Sequence, residues 1–181
     1  MLNSLDAPMK RVFELGCGNG SVAAAMTMLG YDVTGIDASE QAITQANLHH
    51  PELKLKLGSA YDDLASLYGQ FPIVVSLEVI EHLYFPRKFA ATVYDLLLPG
   101  GVAIISTPYH GYLKNLALAL TGRMDEHFTA LWDHGHIKFW SIRSLSALLK
   151  EIGFTVEQVS RVGRIPALGK SMIAVVRKET S

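Results

Sequence analysis

Glu78, Glu81 and His82 lie in the run Glu78-Val79-Ile80-Glu81-His82, at positions i, i+3 and i+4. On a helical turn those positions share one face. Two carboxylates and an imidazole held together could deprotonate a hydroxyl or hold a divalent ion. The plainer alternative is that Glu81-His82 only orients its loop. Earlier in the chain, Gly16-Cys17-Gly18-Asn19-Gly20 follows the short run Val12-Phe13-Glu14-Leu15. Alternating glycines turn the backbone tightly and bring N–H groups close to a ligand with no Cβ between. Asp37 closes the next apolar run, 21 residues beyond Gly16. A carboxylate about 20 residues past such a loop reaches ribose hydroxyls. Its alternative role is to cap the helix that follows. Loop and carboxylate together predict a nucleoside site.

A second group of candidates is imidazole-rich. His110 follows Ser106-Thr107-Pro108-Tyr109, and His127, His134 and His136 come later among Phe128, Trp132 and Trp140. They could wall a pocket, with His134 or His136 as a base suited to neutral pH. His136 could equally be a structural anchor. A zinc site on the three later histidines is the weaker reading, because no thiol lies near them. Cys17 is the only cysteine, which excludes an internal disulfide, and it is small and apolar enough to pack without chemistry.

These residues need a scaffold, and the patterning supplies one. Strands are expected at Arg11–Leu15, Tyr31–Ile36, Leu53–Leu57, Phe71–Leu77 and Val102–Ser106. Helices are expected at Ser21–Leu29, Glu40–Leu48 and Pro86–Leu97. Phe71–Leu77 is continuously apolar, as central strands are when helices cover both sheet faces. Leu98-Pro99-Gly100-Gly101 reads as a breaker. Strands alternating with helices imply a parallel, doubly wound α/β sheet. Residues 109–140 are long for a connection, with helical periodicity only in Tyr112–Leu120, and read as an inserted lid or pocket wall. A helix at Ser141–Ile152 and strands at Thr155–Val162 and Ser171–Arg177 close the chain. The first nine residues read as a loose arm ending at Pro8. No boundary is visible, so residues 1–181 are taken as one domain.

With 49% hydrophobic and 18% charged residues the chain can bury a core. Its net charge of −1 gives no electrostatic pull toward nucleic acid. Arg161, Arg164 and Lys170 form a loose basic group read as a solvated face rather than a phosphate site. There is no apolar run of 18 residues and no signal-like start, so a cytoplasmic monomer or homodimer without a membrane span is expected.

The G-x-G-x-G loop preceded by Glu14, the Pro99-Gly100-Gly101 turn before a strand, and the Gly153-Phe154 step into a closing strand pair together resemble the class I S-adenosylmethionine-dependent methyltransferases. The resemblance spans about residues 11–178. It implies a Rossmann-like fold with a mostly parallel seven-stranded sheet and an antiparallel last strand. It also implies that Glu14, Gly16, Cys17, Gly18 and Gly20 wrap the methionine and ribose part of S-adenosylmethionine. Asp37 would bind the ribose and Ala38 would lie beside the adenine. Ser59, Ala60 and Tyr61 would edge the adenine, though Tyr61 could instead cover the sheet edge. Leu77 and Glu78 would lie beside the methyl donor. The Glu78–His82 run is similar to that of the quinone-biosynthesis O-methyltransferases, where the pattern is implicated in metal binding. Catalytic candidates are Glu81, His82, His110 and His134. Mg2+ on Glu78, Glu81 and His82 is a weaker alternative to no metal.

The expected activity is methyl transfer to an oxygen, or a nitrogen, of a small-molecule acceptor. A silent cofactor-binding module and a methyltransferase acting on RNA or protein are the alternatives. A dinucleotide oxidoreductase is disfavoured, because its loop would read G-x-G-x-x-G.

Overall fold

Arg11–Leu15 forms β1, buried from Val12 onward, and its paired neighbours explain why. It lies between β2 (Asp32–Asp37) and β4 (Phe71–Leu77), parallel to both. β3 (Lys54–Leu57) pairs parallel to β2 at one edge, and β5 (Leu97–Pro108) pairs parallel to β4. β7 (Ser171–Lys178) runs antiparallel between β5 and β6 (Phe154–Val162). The seven-stranded order is β3-β2-β1-β4-β5-β7-β6. The order reverses between β1 and β4. A crevice therefore opens outside their carboxyl ends, where the glycine loop and Glu78 emerge. In this computed structural model the described residues are 10–128, 130–163 and 169–180. The arm ending at Pro8 and Arg164 lie outside them.

Helices cover both faces, and alternate residues of each strand feed two cores. On one side Phe13, Leu15 and Val74 meet Phe89, Val93 and Leu96 of α4 (Pro86–Leu96) and Leu145 and Leu149 of α7 (Ile142–Ile152). On the other, Val12 and Ile73 meet Ala23 and Met26 of α1 (Ser21–Met28) and Ile43 and Ala46 of α2 (Glu40–His49). This period-two division is what a sheet buried on both faces requires. Ends are set locally. Pro86 sits in the first turn of α4, Ser141 and Ser144 form a reciprocal capping box on α7, and Gly153 ends α7 at φ 111°.

Three features differ from the sequence expectations. The Pro99-Gly100-Gly101 triplet does not separate α4 from β5. Leu97 already pairs with Phe71, and the register then shifts so that Ile73 meets Val102. The triplet is absorbed as a bulge, with Gly100 at φ 77°. Two five-residue helices were not foreseen, α3 (Leu64–Tyr68) and α6 (Met124–Phe128). A segment that short completes too few turns to show a period of 3.6. Between them in the chain lies α5 (Tyr112–Leu120), as expected from its periodicity.

Candidate functional site

At the carboxyl end of β1 the N–H groups of Gly16 and Cys17 both donate to the Ile36 carbonyl, at 2.8 and 2.9 Å. This pins the loop against β2. The Gly18 N–H donates to Asp37 Oδ2 at 2.8 Å, and the Ser39 N–H to Asp37 Oδ1 at 2.8 Å. Each carboxylate oxygen keeps acceptor capacity for a ribose hydroxyl. Capping of α2 falls to Ser39, whose hydroxyl accepts from Ala42 N at 3.2 Å. Asp37 therefore links loop and ligand space instead of serving as the cap.

A cavity of about 670 Å³ opens here. Leu15, Gly16, Ile36, Asp37, Ala38 and Ser39 wall one side, and Gly58, Ser59, Ala60 and Tyr61 a second. Glu78, Val79, His82, Leu83 and His134 complete it. Tyr61 is fixed at the rim, its hydroxyl accepting from Phe85 N at 3.0 Å. Cys17, Gly20 and Leu77 do not face this space. Cys17 and Leu77 pack with the second core, and burial pushes the thiol up to about 12. At Gly20 a Cβ would lie 2.8 Å from Leu55 Cδ1 and 3.4 Å from the Ala46 Cβ, so that glycine lets the loop sit on α2 and β3. These residues shape the loop.

Glu14 is buried beneath the loop, and its Oε2 has no hydrogen-bond partner among the described residues. Burial first, and the neighbouring Asp37 charge second, raise it to about 8.

The Glu78–His82 run does not form a single helical face. Glu78 has φ 55°, and only Ile80–His82 makes a 3₁₀ turn. The positive φ turns Glu78 to the cavity, where Ser106 Oγ donates to its Oε1 at 2.7 Å. Such strain in a non-glycine residue concentrates at functional sites. Glu81 turns inward and is 1% exposed, with neither oxygen hydrogen-bonded among the described residues. Its partners are His82 and His136. One ligating atom from each of the three lies within 4.8 Å of the others. His136, 55 residues beyond Glu81, thus stands where the spacing had suggested Glu78.

The His82 Nδ1–H donates to the His134 carbonyl at 2.9 Å, with the Gly135 carbonyl at 3.2 Å. In the neutral ring this puts the proton on Nδ1 and leaves Nε2 as an acceptor, 3.9 Å from Glu81 Oε1. The Glu81 carbonyl accepts from both Ile137 N and Lys138 N at 2.9 Å. The Glu81-His82 pair therefore both anchors the 134–138 segment and presents a free imidazole nitrogen. Burial, assisted by the Glu78 charge, raises Glu81 to about 7, so it exchanges its proton near neutrality. His136 is held below its usual range by burial and by His82.

The four histidines separate into different places. His134, at φ 61°, lines the large cavity. His136 joins Glu81 and His82. His110 and His127 lie on a smaller cavity of about 400 Å³, with ring centroids 5.4 Å apart, and His136 lines that cavity as well. Among the described residues the three later histidines form no joint metal-ligating cluster, and His110 is not on the wall of the large cavity. Phe128, named with the histidines as a wall residue, does line this smaller cavity, whereas Phe139 and Lys114 beside it carried no sequence signal beyond composition.

Residues 2–159 match the family model described as a methyltransferase domain. The chain belongs to the class I S-adenosylmethionine-dependent methyltransferase family. It is 40% identical over 116 residues to a ubiquinone biosynthesis O-methyltransferase of Caulobacter sp. (strain K31), covering 62% of this chain and 46% of that protein. A protein of the same description from Thiobacillus denitrificans is 34% identical over 158 residues, covering 83% of this chain and 67% of the relative. The chain thus spans about half to two thirds of the length of these curated relatives. A methyltransferase structure from Archaeoglobus fulgidus superposes with a TM-score of 0.74 at 15% identity, covering 95% of this chain and 87% of that one. The last likeness concerns the fold. Among the described residues no helix is long and apolar enough to cross a membrane.

The cavity fits the family's methyl donor on its own chemistry. On its wall Asp37 suits a diol and the mostly apolar residues from Gly58 to Leu83 suit a purine, while the unpartnered Glu14 carboxyl lies beneath the glycine loop and off the wall.

Proposed function

We propose that this chain transfers the methyl group of S-adenosylmethionine to a hydroxyl oxygen of a small-molecule acceptor. One observation carries the reading: the same cavity is walled by the Gly16–Asp37 nucleoside elements and by Glu78, His82 and His134. The donor, when bound, supplies an activated methyl on a sulfonium. What remains for the protein is alignment and the acceptor's proton. Asp37 holds the ribose, Gly58 to Tyr61 flank the adenine, and Glu14 beneath the loop supplies the carboxylate charge that favours the methionine ammonium. His82 takes the acceptor proton on Nε2, its ring held by the Nδ1–H bond to His134. Glu81 stabilises the resulting imidazolium from 3.9 Å. Residues 109–140 form the acceptor-side wall. The description of the relatives as O-methyltransferases supports an oxygen acceptor.

The donor atoms at Glu81, His82 and His136 also fit a divalent ion. Two imidazoles and one carboxylate suit zinc, manganese or iron better than Mg2+, which prefers oxygen ligands and ordered waters. Bound there, the ion would occupy His82 Nε2 and so replace the imidazole base, lowering the pKa of an acceptor hydroxyl in its stead.

The test has a binding arm and a turnover arm. S-adenosylhomocysteine should bind in the micromolar range by calorimetry, and Asp37→Ala should weaken it at least ~10-fold. A screen of phenols, catechols, amines and carboxylic acids should give product with hydroxyl acceptors, and His82→Ala should lower kcat ~100-fold. Chelation followed by zinc, manganese or magnesium addition decides the metal. Absent donor binding overturns the whole reading. Binding without any turnover supports a silent module. Product from amines alone overturns the oxygen assignment.

A further inference from the structure

β5 ends in two adjacent hydroxyls, Ser106 and Thr107. Successive side chains on a strand point to opposite faces, so the two serve different neighbours. Ser106 is fully engaged: its Oγ donates to Glu78 Oε1 at 2.7 Å and accepts from Glu78 N at 3.1 Å. Thr107 is not. It is fully buried, and its Oγ1 is closed to solvent without a hydrogen bond among the described residues.

The surroundings of Thr107 narrow what its hydroxyl can serve. Ile105, two residues back on the same strand face, and Met172, opposite on β7, both belong to the first apolar core. In the helices, Thr44 and Thr92 return their hydroxyls to the carbonyl four residues back, at 2.8 and 3.0 Å. A strand offers no carbonyl in that place. What lies beside Thr107 is the Glu81 carboxyl, because the 3₁₀ turn Ile80–His82 packs on β5.

Glu81 has the complementary deficiency. It is buried, and neither of its oxygens accepts a hydrogen bond among the described residues. A buried carboxylate without a donor is strongly disfavoured, and a hydroxyl is a donor. An unfilled donor and an unfilled acceptor therefore stand together next to His82. Thr107 lines neither the donor cavity nor the smaller one, so it can act on the chemistry only through Glu81.

We propose that Thr107 is a positioning residue for methyl transfer, its hydroxyl donating to one oxygen of the Glu81 carboxylate and holding the other toward His82. When His82 takes the acceptor proton, the imidazolium then meets a negative charge already fixed in place. Without the hydroxyl the carboxylate is free to rotate away from the ring. This inference rests on the methyl-transfer reading with His82 as base, and it adds the group that orients Glu81.

The experiment uses the full chain and has a contact arm and a kinetic arm. The contact arm is infrared spectroscopy of the protein saturated with S-adenosylhomocysteine, in mildly acidic buffer, with the Glu81 carboxyl stretch assigned by its loss in Glu81→Gln. Thr107→Val keeps the side-chain shape and removes the hydroxyl. It should move that stretch to higher wavenumber, and Thr107→Ser should return it. In the kinetic arm, run with a hydroxyl acceptor from the turnover screen, Thr107→Val should lower kcat ~10-fold. The KM for S-adenosylmethionine and the affinity for S-adenosylhomocysteine should stay unchanged, and Thr107→Ser should recover most of kcat. Should Thr107→Val fail to fold, Thr107→Ala, equally without a hydroxyl, must give the same shift and the same loss.

A stretch unmoved by removal of the hydroxyl overturns the contact. A variant that is more stable than the parent with kcat intact shows an idle buried hydroxyl and overturns the positioning role. Wild-type protein that binds no S-adenosylhomocysteine or methylates no acceptor overturns the methyl-transfer reading instead, so the failures are distinct.

Discussion

Glu14 shows how one residue can tie stability to ligand chemistry. Its carboxyl is buried and unpartnered on one oxygen, and its folded value near 8 stands well above the ordinary 4.5. Between those values the folded chain holds a proton that the unfolded chain has released. Folding stability therefore falls as pH rises from about 4.5 to about 8, and the loss is complete above that. Glu14→Gln removes the titration. The variant should be more stable than the parent at pH 8, on the order of a few kcal/mol, with the advantage gone at pH 4. Urea melts at both pH values check it. An advantage that does not change with pH would mean that the side chain is ionised throughout. The same substitution should weaken donor binding, because the amide cannot balance an ammonium charge.

At the scale of elements, the site depends on two loops meeting. Gly16 leaves β1 at φ 88°, and a Cβ there would stand 2.3 Å from Val79 Cγ2 in the loop after β4. Gly16→Ala should lower stability by about 1–3 kcal/mol through left-handed strain and forced displacement of Val79. Donor affinity should fall with it, since Gly16 and Val79 share the cavity wall. Adding Val79→Ala should restore the contact part of the loss and leave the backbone part. If the double variant recovers nothing, the clash is not the cause. Strands, long helices and the glycine loop were legible in the sequence because they write a local period or a glycine spacing. Asp37 was legible for the same reason, as a carboxylate at a known distance from the loop. The pairing of His136 with Glu81 and His82 was not, because it arises from tertiary contact across 55 residues. Nor was the outward turn of Glu78, since a single positive φ leaves no trace in residue type. The smaller cavity is built from the end of β5, α5, α6, the residues before α7 and the start of β7, which no short motif spans.

Across the whole molecule, packing is unequal, and that inequality bears on function. β4 is buried over its first six residues, and β5 is buried from Gly101 to Thr107. The helices α5 and α6 have no buried residue at all, although α5 carries Leu113, Leu116 and Leu120. Their ties to the rest are few and are made mainly at their ends. His110 N donates to the Trp140 carbonyl at 2.9 Å, and Tyr109 N to the Lys170 carbonyl at 2.9 Å. Helical segments with so little burial open at a small fraction of the global unfolding free energy. Amide exchange in residues 112–128 should therefore run at least ~100-fold faster than in β4 and β5. The donor product alone should leave that rate nearly unchanged, because its cavity is walled by other elements. Donor product together with a hydroxyl acceptor from the turnover screen should slow it, because the proposed acceptor-side wall would then pack on a ligand. Hydrogen exchange read by mass spectrometry separates the three states. Sheet-like protection in the free protein would show these helices to be part of the rigid scaffold, and the closing role of the segment would be withdrawn.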